Sequence, residues 1–152
     1  ELTNTVQFYD QLKFSTTYTY SDFKFNHFSS SGGVIYDGKR IPGIPKNLLN
    51  FNISWSNDSG SYANLDTTFT GEFYADNGNQ SRVNSYIVSN LRLGKNIYYN
   101  DLDVGFYLGV NNVLNEKYNN NVRINAFGSR YFEPAPKQNL FFGVTLKKHF
   151  SG

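Results

Sequence analysis

The chain has 152 residues, enough for one domain, and its net charge of +2 is spread along the sequence without the basic cluster that nucleic-acid binding requires. It contains no cysteine, which excludes disulfides and thiolate metal sites, and no run of about 18 apolar residues that would predict a transmembrane helix. Aromatic residues make up 18% of the chain, and with abundant Thr, Asn, Gly and Ser they favour strands separated by turns.

Apolar and polar residues alternate along most of the chain, in the period of two that is typical of half-buried β-strands. We predict seven strands, in chain order at residues 2–8, 12–21, 49–56, 62–75, 85–97, 102–114 and 139–150. In the sixth, the even positions Val104, Phe106 and Leu108 are apolar, whereas the odd positions include Asp103. No segment carries apolar residues at helical spacing over three turns, so we predict no helix beyond single turns in loops.

The connections between the predicted strands alternate between short and long. Short joints lie at residues 9–11, 57–60 and 98–101, and longer ones cover residues 22–47, 76–82 and 115–138. Tight turns at one end and long loops at the other predict an all-β, antiparallel up-and-down meander, as in a segment of a large transmembrane β-barrel. Aromatic residues near the strand ends suit the interfacial girdles of such barrels: Tyr18, Tyr20, Phe73, Tyr74, Tyr98 and Tyr99.

Three motifs and the last strand carry a more specific signal. Residues 38–47 read GKRIPGIPKN, residues 109–118 read GVNNVLNEKY and residues 130–136 read RYFEPAP, while the last strand ends at Phe150. In this order, and in these loops and strands, they resemble the TonB-dependent receptors of bacterial outer membranes. The motif positions are Pro42, Pro45, Asn112, Tyr118, Glu133, Pro134, Pro136 and Phe150.

The resemblance implies a barrel of about 22 strands around an N-terminal plug, which imports scarce ligands with energy delivered by TonB. It implies that residues 1–150 are the C-terminal barrel strands of such a receptor in the bacterial outer membrane, and that residues 151–152 are a cloning remnant. The implied partners are outer-membrane lipid, a small ligand such as a ferric siderophore or other iron chelate, and TonB, through a plug region outside this sequence. It implies no cofactor and no catalysis.

On this resemblance, ligand capture falls to polar and aromatic residues of the long loops, with one cation on the lumen side of the barrel wall. Many ligands of the family are anionic iron chelates, and arginine binds carboxylates through two parallel hydrogen bonds. The candidates are Tyr36, Lys39, Arg40, Arg92, Arg123, Arg130 and Tyr131. An alternative role for Arg130 is to brace a neighbouring loop or the plug.

The sequence gives weaker support to metal binding and to other architectures. The only histidines, His27 and His149, lie in different contexts, whereas a zinc site needs three or four convergent ligands. Asp66 and Glu72 share the polar face of one predicted strand, which indicates lumen lining rather than acid–base catalysis. Two alternatives stay open: a small self-contained outer-membrane barrel, and a soluble carbohydrate-binding β-sandwich that buries its apolar face against a second sheet.

Overall fold

The computed structural model describes residues 1–150, so the predicted cloning remnant at residues 151–152 lies outside the described residues. The main sheet has seven antiparallel strands, and each pairs with the next one along the chain that belongs to this sheet. They are β1 (Leu2–Phe8), β2 (Leu12–Tyr20), β3 (Asn47–Ser56), β4 (Ser61–Thr70), β7 (Tyr86–Tyr99), β8 (Leu102–Asn111) and β11 (Asn139–Lys148). Two short hairpins pair β5 (Phe73–Tyr74) with β6 (Arg82–Val83), and β9 (Asn119–Val122) with β10 (Phe132–Pro134). The predicted all-β meander of seven strands is confirmed.

The alternation of the sequence gives the sheet one apolar face and one polar face. The register places apolar residues opposite one another on adjacent strands, as with Ile53 on β3 and Leu65 on β4. On the other face of the same strands, Asn52 is paired with Asp66, and its Nδ2 donates to the Asp66 Oδ1 at 2.7 Å. Because a slip of one residue would exchange the two faces, the pattern itself fixes the register.

The apolar face has no second layer of the chain packed against it. Leu108, Phe142 and Leu146 on this face are 54%, 82% and 68% exposed. A soluble β-sandwich requires this face to be buried, so that alternative is wrong for the chain from residue 1 to residue 150. A self-contained barrel requires β1 to pair with β11, whereas in the same residues these two strands are the edges of an open sheet.

Two strands end at least three residues earlier than their periodicity predicts, and both do so at the end of the sheet that carries the long loops, whereas the strands predicted at residues 12–21 and 139–150 end at Tyr20 and Lys148. The strand predicted at residues 62–75 ends at Thr70, and the following chain turns away into the β5–β6 hairpin. The strand predicted at residues 102–114 ends at Asn111, because Asn112 takes a positive φ of 51° that no strand accommodates. Periodicity continues through such breaks, so it cannot reveal them.

The hydrophobic residues that the structure buries most also lie at this end. Phe73, Ala75 and Val83 are 9%, 0% and 4% exposed. The expectation that Phe73 belongs to an interfacial girdle is therefore wrong, since the loops cover its ring.

The predicted long loop at residues 115–138 contains the β9–β10 hairpin and a single 3-10 turn, Phe127–Ser129. Within residues 1–150, no helix is long and apolar enough to cross a lipid bilayer.

Three aromatic rings on the polar face lie across glycines of the neighbouring strand. In each case the ring and the glycine are direct partners in the register, and a Cβ on the glycine would overlap the ring. A ring in this position covers backbone that the glycine leaves exposed, which stabilises the strand pair. The pairs are Tyr62 with Gly94, Tyr107 with Gly143, and Phe141 with Gly109.

Candidate ligand-binding site

Three long connections meet at one end of the sheet and bond to one another there. We name them the first loop (residues 21–46), the second loop (residues 71–85) and the third loop (residues 112–138). The Gly43 N–H of the first loop donates to the Tyr74 carbonyl of the second at 2.8 Å. The Asn125 N–H of the third loop donates to the Ala75 carbonyl of the second at 2.9 Å. The second loop therefore joins the other two.

Two asparagine side chains reinforce this junction. Asn79 accepts a hydrogen bond from the Arg40 N–H at 2.7 Å and donates one to the Arg40 carbonyl at 2.9 Å. Asn125 accepts from the Asn77 N–H at 2.9 Å and donates to the Asn77 Oδ1, also at 2.9 Å. Both asparagines have positive φ, 57° and 52°, which Asn tolerates better than most residues. We did not predict these two residues from the sequence, although the turn-forming run at residues 76–79 is a signal for such an arrangement.

A cleft of about 450 Å³ opens among the three loops. Three predicted ligand-binding residues line it together: Tyr36, Lys39 and Tyr131. The exposed apolar side chains of Val34 and Ile35 belong to the same cleft. In the part of the chain that the structure describes, no carboxylate lies within ion-pair distance of the Lys39 ammonium. The cleft therefore offers an uncommitted cation beside two phenol groups.

Asp76 also lines the cleft, but its carboxylate is committed to the backbone of its own loop. It accepts hydrogen bonds from the Ser81 N–H at 2.5 Å and from the Gln80 N–H at 3.1 Å. Burial raises the pKa of Asp76, but the backbone hydrogen bonds from Ser81, Gln80 and Gly78 outweigh burial and place the pKa below its usual range. The carboxylate thus stays ionised and closes the turn of the second loop.

Two of the predicted arginines are held in ion pairs away from the cleft. Arg40 lies 3.8 Å from Glu72, and Arg82 pairs with the same carboxylate at 2.9 Å. Arg123 pairs with Glu133 at 2.5 Å, across the β9–β10 hairpin. The structure does not bring Arg40 or Arg123 to the cleft: the Arg40 ion pair joins the first loop to the second, and the Arg123 ion pair lies within the third loop.

Glu133 is the acidic partner of the β9–β10 hairpin. The side-chain hydrogen bond from Asn121, together with the hydrogen bond and the charge of Arg123, holds the pKa of Glu133 below its usual range. Arg130 follows the 3-10 turn and makes no ion pair within residues 1–150. The structure brings Tyr131 to the cleft but not Arg130.

Arg92 lies in a separate cavity of about 320 Å³ on the polar face of the sheet. Its guanidinium carbon is 5.1 Å from the ring centre of Tyr107 and 5.4 Å from that of Phe141. Both distances fall within cation–π range, so the two rings hold the cation in place. Asn52 and Asp66 line the same cavity. Arg92 therefore places a positive charge on the polar face of the sheet and does not belong to the cleft among the loops.

Asn112 and Tyr118 of the second motif act within the structure of the third loop. Asn112 is 3% exposed; it accepts from the Glu116 N–H at 2.8 Å and donates to the Glu116 carbonyl at 2.9 Å. Its Nδ2 also lies 3.5 Å from the Pro136 carbonyl, which connects the start of the third loop with its end. The Tyr118 ring stacks on Tyr86, with ring centres 4.9 Å apart.

The remaining motif residues shape strand starts and ends. Pro42 is buried in a turn beside a glycine with a φ of 80°, and Pro45 lies just before β3. Pro134 ends β10, where the register with β9 shifts. Phe150 is 83% exposed beyond the end of β11, and the Lys148 ammonium lies 5.4 Å from its ring centre.

A family model described as a TonB dependent receptor-like β-barrel matches residues 1–113 of the chain. The chain belongs to the TonB-dependent receptor family. Receptor barrels of this family lie in the outer membrane of Gram-negative bacteria, and the chain is a part of such a barrel. Membership in this family explains the uncovered apolar face of the sheet, because the outer surface of a membrane barrel contacts lipid.

Solved receptor structures share the fold. The siderophore receptor PiuA from Acinetobacter baumannii matches with a TM-score of 0.72 and 20% identity, over 95% of this chain and 20% of that one. The ferric yersiniabactin uptake receptor FyuA from Yersinia pestis matches with a TM-score of 0.72 and 16% identity, over 96% of this chain and 22% of that one. The copper transporter OprC matches with a TM-score of 0.65 and 17% identity, over 97% of this chain and 22% of that one. The chain thus spans about a fifth of the length of these proteins.

Proposed function

We propose that the chain supplies C-terminal barrel strands to an outer-membrane receptor that takes up a scarce ligand with energy from TonB. Family membership, the lipid-compatible apolar face and the cleft among the loops support this proposal. Residues 1–150 contribute seven strands, and β1 and β11 pair with barrel strands that lie outside this sequence. The three loops then face the outside of the cell, and the short turns face the periplasm.

Three partners follow from this arrangement. The apolar face contacts outer-membrane lipid, and the polar face surrounds the lumen and the plug on which TonB acts. The loops receive the small ligand. Since the family is one of receptors, we propose binding and transport for this protein rather than catalysis.

The ligand class that fits the cleft best is an anionic iron chelate. The observation that carries this proposal is the Lys39 ammonium, which has no carboxylate partner in residues 1–150 and lies in the cleft with Tyr36 and Tyr131. An ammonium binds anionic oxygens, and tyrosine adds a hydrogen-bond donor and a flat apolar surface. The names of PiuA and FyuA, a siderophore receptor and a ferric yersiniabactin receptor, point to the same class.

Uptake of radioactive iron by the native host tests this function. A strain that lacks the receptor gene is complemented with the wild type, with Lys39→Gln or with Lys24→Gln, and iron is supplied as siderophores from the host's own culture medium. Lys24 is the matched control, because it lies in the same loop, 4.0 Å from Asp22 and outside the cleft.

We expect the wild type and Lys24→Gln to restore uptake that depends on TonB. We expect Lys39→Gln to bind the iron chelate about tenfold more weakly, as the loss of one charge-assisted hydrogen bond implies. Uptake that is restored without TonB, or not restored at all, would contradict the proposal. Restored uptake of copper but not of iron would reassign the ligand class, in keeping with the name of OprC.

A further inference from the structure

The second loop has a small hydrophobic core of its own. Phe73, Ala75 and Val83 are the buried hydrophobic residues of the chain between residues 1 and 150, and all three belong to this loop. The Gly71 N–H donates to the Asn47 carbonyl at 2.8 Å, which attaches the loop to the first residue of β3. The loop is thus an ordered support and not a free connection between strands.

The first loop is tied to this support by hydrogen bonds at two places, in addition to the ion pair between Arg40 and Glu72. At one, the Gly43 N–H bonds to the Tyr74 carbonyl. At the other, the Asn79 amide bonds to both the N–H and the carbonyl of Arg40, as a neighbouring β-strand would do. Arg40 immediately follows Lys39, so this second tie fixes the backbone beside the cation of the cleft.

The third loop is tied to the same support and also touches the first loop. Asn125 bonds through its backbone to Ala75 and through its amide to Asn77. Ile124 lies so close to Gly43 that a Cβ there would stand 3.1 Å from the Ile124 Cδ1. Each loop therefore contacts the other two, and no one loop can move far without breaking bonds to its neighbours.

We propose that Asn79 and Asn125 are positioning residues that lock the three external loops into one block, so that the cleft is formed before a ligand arrives. Tyr36 and Lys39 come from the first loop and Tyr131 from the third, and both loops are held through the second. The statement about the ligand rests on the proposed function, whereas the locking of the loops does not. Locking keeps the binding-competent state populated, which raises the apparent affinity.

Spin-label distance measurements on the intact receptor test the locking directly. The described chain offers exposed label sites at Ser31→Cys in the first loop and Phe127→Cys in the third, with any cysteine elsewhere in the receptor replaced. The test variant is Asn79→Gly with Asn125→Gly, since glycine keeps the positive φ and removes only the amide. The matched control is Asn84→Gly with Asn120→Gly, two exposed asparagines of the second and third loops.

We expect a narrow distance distribution in the wild type and in the control, without any added ligand, and a clearly broader one in the test variant. A wild-type distribution that is already broad, or a test variant as narrow as the wild type, would overturn the locking. A heat-induced shift in gel mobility shows for every variant that the barrel has folded.

A binding measurement with the host's iron-loaded siderophores tests whether the locking of the loops raises the affinity for the ligand. We expect the test variant to bind roughly threefold to tenfold more weakly than the wild type, because only a fraction of its molecules holds the cleft ready. The control should bind as the wild type does. Equal affinity of the test variant and the wild type would show that the lock does not serve binding. If neither the wild type nor the test variant binds iron chelates, the proposed function fails. The label distances still show whether the two asparagines lock the loops.

Discussion

The ring of Phe141 lies across Gly109, the residue directly paired with it on the neighbouring strand. The Arg92 guanidinium carbon stands 5.4 Å from the centre of the same ring, within cation–π range. Tyr107 repeats the arrangement over Gly143. Contacts between neighbouring strands thus stabilise a sheet that has no core beneath it in residues 1–150.

A methyl group added at Gly109 tests how much the pairs of aromatic ring and glycine contribute to stability. We expect Gly109→Ala to lower the free energy of unfolding of the intact receptor by about 1–3 kcal/mol, because the Cβ would overlap the Phe141 ring. Urea unfolding in detergent micelles measures the change. Gly32→Ala is the control, since its Cβ would meet only the Ser30 hydroxyl at 3.8 Å. Equal stability of the two variants would show that the ring moves aside without cost.

Removal of the Asn112 side chain should loosen the third loop. We expect Asn112→Gly to lower the free energy of unfolding by about 1–3 kcal/mol, because the Glu116 N–H and carbonyl lose their partner. Glycine keeps the φ of 51°, so the backbone itself is not strained. Limited proteolysis of the folded receptor should then cut the third loop faster. Asn120→Gly, an exposed position in the same loop, should leave the cleavage rate unchanged. Equal rates for both variants would contradict the structural role of Asn112.

The pKa of Glu133 predicts how the β9–β10 hairpin responds to acid. Since the folded-state pKa lies below the ordinary value of 4.5, the carboxylate stabilises the hairpin above that pH, and this stabilisation is lost as the pH falls through the folded-state pKa. A spin label at Asn120→Cys should become more mobile as the pH is lowered from neutral through the folded-state pKa of Glu133, which lies below 4.5. The same label in Glu133→Gln should show no such transition. A transition of equal size in both proteins would assign the response to another group.

The ion pair of Arg123 predicts that this arginine contributes little to ligand binding. We expect Arg123→Gln to change the affinity for the host's iron-loaded siderophores less than Tyr131→Phe does, because Arg123 is bound to Glu133 while Tyr131 lines the cleft. Equilibrium binding to the purified receptor measures both variants. A larger loss in Arg123→Gln than in Tyr131→Phe would show that the ion pair opens for the ligand.

The strands of the sheet could be predicted from the sequence because each carries its own evidence. Leu108 and Phe142 alternate with polar neighbours, and alternation along one strand does not depend on distant residues. The cleft was predictable only in part. Tyr36, Lys39 and Tyr131 were identified as loop residues with suitable chemistry, but their meeting depends on how separate loops fold together.

The structure of the loops could not be predicted from the alternation of apolar and polar residues. A hairpin of two-residue strands such as β5 with β6 has no period to detect. The ion pairs of Arg40 with Glu72 and of Arg123 with Glu133 join residues that no local spacing connects. For this reason the sequence predicted both arginines at the ligand, whereas the structure engages them in the loops.

The proposed function requires that the apolar face of the sheet contacts lipid and that the polar face lines the lumen. Val144 and Thr145 are adjacent on β11 and point to opposite faces. Spin labels at Val144→Cys and Thr145→Cys, each in the intact receptor in lipid bilayers, can be tested for collisions with oxygen, which concentrates in lipid, and with a water-soluble nickel chelate. We predict that oxygen relaxes the label at residue 144 more strongly and the nickel chelate the label at residue 145. Equal access of both probes to both sites, or the reverse pattern, would contradict the barrel wall.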